Sequence, residues 1–292
     1  MTDRTTEQKV AEAQDAALSL ANLSDEARSG ALHDVADAIE REAEAILAAN
    51  ERDVTEAERL LEQGEYTRAL VDRLELSKSK LADIAEMVRS VADQDDPLGE
   101  TLSARRLDDG LELYRVSVPI GVIATVFESR PDALVQIAAL SLKSGNAAIL
   151  KGGSEASHSN RALYEVIAEA TADVPDGWAQ LIEAREDVNT LLEMDDAVDL
   201  LMPRGSSAFV SYIQDNTSIP VLGHTEGVCH VFVDRDADPA VEALARQREV
   251  LESEVEACPD RYPRHTLRNV SRINHLSTAA TVAGVRDGDR RV

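Results

Sequence analysis

Lys151, Gly152, Gly153, Ser154 and Glu155 follow directly on the apolar run 147–150. Two successive glycines can take backbone angles closed to other residues and let a ligand approach the amides. A helix starting just beyond them adds unpaired N–H groups and the positive end of its dipole, and Lys151 adds a full charge. Such a turn can receive an anionic group such as a nucleotide phosphate; the plain alternative is a tight strand-to-helix connection. Two more turns have the same placement. Glu128-Ser129-Arg130-Pro131 ends the apolar run 121–127, and Pro203-Arg204-Gly205-Ser206-Ser207 ends the run 198–202. Arg130 can grip a carboxylate or phosphate through two parallel bonds, or form a surface ion pair with Glu128 or Asp132. Three turns of this kind, each closing an apolar strand, point to a bound ligand more strongly than any one of them. A fourth stretch holds His224, Cys229 and His230. Neighbouring side chains on a strand face opposite sides, so no metal site is expected there. Cys229, inside an apolar strand, reads as a small buried hydrophobe before it reads as a nucleophile.

The elements that must position these turns follow from periodicity. Residues 7–92 repeat alanine, leucine and glutamate at three and four spacings, which predicts a helical opening section whose charged faces are solvated. Asp95-Asp96-Pro97-Leu98-Gly99 breaks it. The alternating runs 101–107 and 111–118 flank Asp108-Asp109-Gly110, a hairpin signal. This hairpin, 101–118, pairs either with another subunit, giving a homo-oligomer, or internally. Then come strands at 121–127, 147–150, 198–202, 219–222 and 228–233, with helices at 132–143 and 159–172. Strand and helix in alternation imply an α/β fold, a doubly wound parallel sheet, with ligands at the carboxyl ends of its strands.

Charge narrows the partners. The chain carries 55 acidic against 30 basic residues, a net charge of −25 over 292 residues. That excess repels phosphate backbones and anionic bilayers, so neither nucleic acid nor membrane is expected as a partner. It suits either plain solubility or a salt-rich cytoplasm, where screening shortens the reach of self-repulsion. Two cysteines make no disulfide framework, no charged apolar leader opens the chain and no run of eighteen apolar residues occurs, so a cytoplasmic location is expected. Residues 1–245 hold 21 basic and 48 acidic residues, whereas 246–292 hold 9 and 7. The late segment has no sustained period and is a different kind of sequence.

The stretches VPIGVIATVFESRPDALVQ, ILKGGSEASHSN, LLEMDDAVDLLMPRGSS and IPVLGHTEGVCHVFVDRDAD together resemble the gamma-glutamyl phosphate reductase family of the aldehyde dehydrogenase superfamily. The words ESRP, GGSEA, PRG and GHxxGxCH, in that order, carry the likeness across most of 1–245. The resemblance implies an NADP-binding domain of aldehyde dehydrogenase type. Lys151, with Gly152, Gly153, Ser154 and Glu155, would lie at the adenosine ribose or its phosphate, Gly205 and Ser206 near the pyrophosphate, and Ser129 and Arg130 at the substrate. It implies NADPH-dependent reduction of L-glutamate 5-phosphate to the 5-semialdehyde, with release of phosphate, in proline biosynthesis. That chemistry needs a thiolate to attack the acyl phosphate and donors to hold the oxyanion.

The thiolate is where this chain departs from the family. A segment like NAKxxNPxVCNAxET is expected soon after Asp236-Ala237-Asp238-Pro239, yet the chain continues ALARQREVLESEVEACPDRYPRH. Cys229 matches the family's other cysteine; Cys258 stands at about the right distance in the wrong setting. Residues 247–254, QREVLESE, can be encoded so that reading one base later spells NAKSSNP, the family's own words. The expectation is therefore a helical section plus nucleotide-binding domain over 1–245 and, over 246–292, a truncated or frame-shifted remnant of the catalytic domain. The alternative is a catalytically inactive module for cofactor binding or subunit assembly.

Overall fold

The computed structural model describes residues 4–128, 130–183 and 187–223, all within one compact unit, Met1–Thr225. The opening section forms five helices: α1 (Thr6–Leu20), α2 (Asp25–Arg41), α3 (Ala43–Glu62), α4 (Arg68–Leu74) and α5 (Lys78–Ala92). Four of them start where a hydroxyl side chain accepts a first-turn amide: Thr5, Ser24, Thr67 and Ser77, each satisfying a donor the helix itself cannot. Thr5 and Gln8 close a reciprocal capping box.

The hairpin is β1 (Thr101–Asp108) against β2 (Leu111–Val116), antiparallel, with Asp108 opposite Leu111 and Gly110 at φ 78° in the turn. Every residue of both strands is exposed. The α/β part runs β3 (Val122–Phe127), α6 (Pro131–Lys143), β4 (Ala147–Lys151), a 3-10 turn Ser154–Ala156, α7 (Ser157–Ala170), β5 (Ala179–Ile182), α8 (Asp187–Leu192), β6 (Leu200–Arg204) and α9 (Ser207–Asp215). The four strands β3 to β6 are parallel in the order β5-β4-β3-β6. All six residues of β3 are buried, which requires cover on both faces of the sheet. α1 lies against β3, β4 and β5 and touches α8, while α6 and α7 pack on the sheet and also against α2. One apolar cluster runs through helices and sheet alike, from Val10 and Leu20 through Leu32 and Ile39 to Ile149, Leu150 and Leu201.

Expectation and structure differ in places. Residues 219–222 form no strand of their own; Val221 makes a single parallel bridge to Leu201. β5, α8 and α9 were not foreseen. The expected strand 228–233 and the segment 246–292 lie outside the described residues, as do Ser129, His224, Cys229, His230 and Cys258.

One buried cation, Lys143, fastens the helical section to the sheet domain, and a second, Arg28, ties α2 to the segment after α5. Lys143 at the end of α6 donates to Asp25 (2.7 Å), the Ser29 hydroxyl (2.8 Å) and the Ala92 carbonyl (2.9 Å). Arg28, 1% exposed, donates to Asp96 at 2.7 Å. Among the described residues no helix is long and apolar enough to cross a membrane.

Candidate functional site

The chain goes out from β3 to β4 and β5, then returns to place β6 on the other side of β3. Strand order therefore reverses between β3 and β6, and the carboxyl ends of those strands frame the crevice where such sheets take ligands. Register puts the three turns side by side there. Val126 lies beside Lys151 on β4 and beside Pro203 on β6, and Phe127 lies beside Arg204.

At the end of β4, Lys151 is buried and its ammonium donates to the Gly152 carbonyl at 2.6 Å. A side chain at Gly152 would overlap the buried Asn160 amide and come within 3.3 Å of the Phe127 ring. Glycine is required here by close approach rather than by an unusual φ. The helix beyond is not open to an external anion, contrary to the expectation for this turn. Asp53, from the middle of α3, already occupies its first turn. One carboxylate oxygen accepts the His158 amide (3.2 Å) and meets its ring Nδ1 (2.9 Å); the other accepts the Ser159 amide (2.8 Å) and hydroxyl (2.6 Å). Asn50, one turn earlier on α3, donates to the Leu74 carbonyl and the Ser159 hydroxyl and accepts the Leu76 amide.

At the end of β6, Ser206 caps α9, its hydroxyl accepting the Phe209 amide at 3.3 Å. The carboxylate of Glu128 lies near the N-terminus of α9, close enough for the Ser206 amide to act on its titration. Burial, first, and the nearby charge of Glu155, second, push this carboxyl above the usual glutamate range, while the Ser206 N–H opposes them. Glu128, Glu155 and Ser206 come from the three turns that the strand register sets side by side. A Cβ on Gly205 would stand 2.9 Å from the Glu128 carboxylate, filling the gap between the β3 and β6 turns.

Arg130 sits at the N-cap of α6 with Pro131 at the first helical position. Neither ion pair weighed for it, with Glu128 or with Asp132, is present. It instead lines a cavity of about 390 Å³ between α4, α5 and the start of α6. Among the described residues no cluster of His, Cys, Asp and Glu could hold a metal ion. Sequence reasoning missed the approach of Glu128 to Gly205 ahead of α9, Asp53 as the cap of α7, and the α4–α5 wall of the cavity. Asp53 carried no signal, because it stands on a charged helix 105 residues from its partner His158.

A model of the aldehyde dehydrogenase family matches residues 1–250. A gamma-glutamyl phosphate reductase of Natronomonas pharaonis is 76% identical over 234 residues, 80% of this chain and 53% of that protein. The crystal structure of a gamma-glutamyl phosphate reductase from Thermotoga maritima superposes with a TM-score of 0.75 at 33% identity, covering 84% of this chain and 60% of that one. A betaine aldehyde dehydrogenase from Staphylococcus aureus, solved in complex with NAD+, shares the fold at a TM-score of 0.59 and 19% identity, covering 76% of this chain and 42% of that one. The chain spans about half the length of the curated relatives it matches. With a doubly wound sheet, three turns meeting at its switch point and the family model spanning all the described residues, the chain belongs to the aldehyde dehydrogenase family.

Proposed function

We propose that this chain carries the nucleotide-binding half of an NADP-dependent glutamate-5-semialdehyde dehydrogenase, which works in the cytoplasm in proline biosynthesis. The whole enzyme reduces L-glutamate 5-phosphate to L-glutamate 5-semialdehyde and releases phosphate. What supports this reading is the meeting of three turns at the switch point in a chain 76% identical to a protein of that activity by name.

The residues present fit a dinucleotide. The N-terminus of α9 is a place for a phosphate oxygen, and glycine at 205 avoids the crowding that a Cβ 2.9 Å from the Glu128 carboxylate would bring. In this reading Gly205 and Ser206 hold the pyrophosphate. Lys151, Gly152, Gly153, Ser154 and Glu155 hold the adenosine ribose, the Lys151 charge favouring the phosphate of NADP. When bound, the cofactor supplies the hydride. Ser129 and Arg130 hold the substrate at the neighbouring strand end, the Arg130 guanidinium matching a carboxylate or phosphate.

Titrating the chain with NADPH and following nicotinamide fluorescence tests this. Saturable binding is expected, tighter than for NADH and weakened by about tenfold or more in Gly205→Val, with an unchanged circular dichroism spectrum. Folded protein that takes up no NADPH sinks the cofactor reading, and tighter NADH binding sinks the choice of NADP.

The hairpin is proposed to join two copies of the chain. Leu102, Leu107, Leu111, Leu113 and Tyr114 are each more than half exposed on it, more apolar surface than an isolated ribbon leaves in water without a partner. Light scattering should show a dimer that Leu111→Asp with Leu113→Asp converts to monomer. A wild-type monomer at micromolar concentration would count against it.

A further inference from the structure

A negative charge stands beside the turn that leads into α9. Strand register brings it there: Phe127 on β3 lies beside Arg204 on β6, so Glu128 and Gly205 leave the sheet as neighbours. The Glu128 carboxylate comes within 2.9 Å of the position a Cβ on Gly205 would take. The charged group that acts on it is another carboxylate, Glu155 of the β4 turn. Arg130, two residues on, lines the cavity beside α4 and α5 instead of pairing with it. The N–H groups and dipole of a helix N-terminus attract any phosphate without distinction. Repulsion by a fixed carboxylate does distinguish, because it grows with the charge brought up to it. Each phosphorus in the pyrophosphate of a dinucleotide is substituted on both sides and bears one charge. The free end of a nucleoside di- or triphosphate is a terminal phosphate group bearing about two charges near neutral pH.

We infer that Glu128 is a specificity-determining residue: its carboxylate beside Gly205 admits the doubly substituted pyrophosphate of a dinucleotide and turns away nucleotides that end in a free phosphate, such as ADP and ATP. The inference rests on the reading of Gly205 and Ser206 as the pyrophosphate turn. Adenosine is common to all these ligands, so the Lys151–Glu155 turn cannot tell ATP from a dinucleotide by that part. Discrimination falls to the other end of the ligand, at the meeting of the β3 and β6 turns. With a neutral side chain at 128, the turn Pro203-Arg204-Gly205-Ser206-Ser207 would offer arginine, hydroxyls and helix amides to any phosphorylated nucleotide. The selection therefore comes from a repulsive element and not from an added contact.

Isothermal titration calorimetry on the whole 292-residue chain with NADPH, ADP and ATP, each in low salt, tests the assignment. Glu128→Gln should strengthen ATP binding by about tenfold more than it strengthens NADPH binding, with ADP in between. Glu128→Asp keeps the charge and should keep the wild-type order of affinities. Glu169→Gln removes a charge from the last turn of α7 and should move all three ligands alike. At 1 M salt, where the Debye length is about 3 Å, the difference between wild type and Glu128→Gln should shrink. Circular dichroism checks that each variant is folded. Equal gains for the three ligands in Glu128→Gln, or a wild-type chain that takes ATP as tightly as NADPH, would overturn the proposal and leave the cofactor reading standing. A folded Glu128→Gln chain that loses NADPH would make Glu128 an attractive contact and overturn it as well. If neither wild type nor variant takes up NADPH, the cofactor reading itself fails and the selectivity goes with it.

Discussion

Asp53→Ala is expected to destabilise the described unit by about 3 kcal/mol, read as a fall in the urea midpoint followed by far-ultraviolet circular dichroism. The side chain is 3% exposed and accepts three hydrogen bonds besides its contact with the His158 ring. Truncation leaves the His158 and Ser159 amides in the first turn of α7 without their acceptor. Losing a helix cap costs roughly 0.5–2 kcal/mol, and hydrogen bonds to a charged acceptor contribute roughly 1.5–3 kcal/mol each before the overlap between them is discounted. Asp53→Asn keeps one acceptor oxygen and should lose about half as much. A loss below about 1 kcal/mol in the alanine variant would mean that α7 is held by its apolar face alone.

The 292-residue chain by itself is expected to bind NADPH and yet to process L-glutamate 5-phosphate at least about ten-thousandfold more slowly than the Natronomonas relative, the order of loss when a covalent nucleophile is removed. The resemblance requires a thiolate in a VCNA-like setting, and residues 246–292 contain no such word. The assay is phosphate-dependent formation of NADPH from the semialdehyde, run beside the cofactor titration. If turnover instead approaches that of the relative, and Cys258→Ala abolishes it while NADPH still binds, then Cys258 is the nucleophile and the shifted-frame account of 246–292 is wrong. The nucleotide sequence at codon 247 checks that account independently.

Much of this architecture could be read before the structure, for identifiable reasons. GVIATVF is too apolar and β-branched to be anything but a strand buried on both faces, and β3 is that strand. Pro131 and Gly145 bracket α6 because one suits a first turn and the other, at φ 67°, ends a helix. The hairpin followed from Gly110 between alternating runs. What escaped was short or distant. β5 is four residues, AQLI, with a polar Gln180 inside it, and α8 has six residues, too few for a period to show. Residues 219–222 looked like a strand from composition, but only Val221 pairs. The three turns were found one by one; that a glutamate from one of them crowds the glycine of another depends on strand order, which no local pattern encodes.

The order β5-β4-β3-β6 also bears on how the chain is made. β3 is the first strand of its sheet to leave the ribosome, while β6, its neighbour on one edge, follows only after residues 128–199. At roughly 5–20 residues per second, that edge of β3 stays unpaired for about 4–14 seconds during synthesis. An apolar strand with a bare edge invites pairing with other chains. α1, synthesised earlier and lying across β3, β4 and β5 in the finished fold, is already available by then to shield a face of the growing sheet.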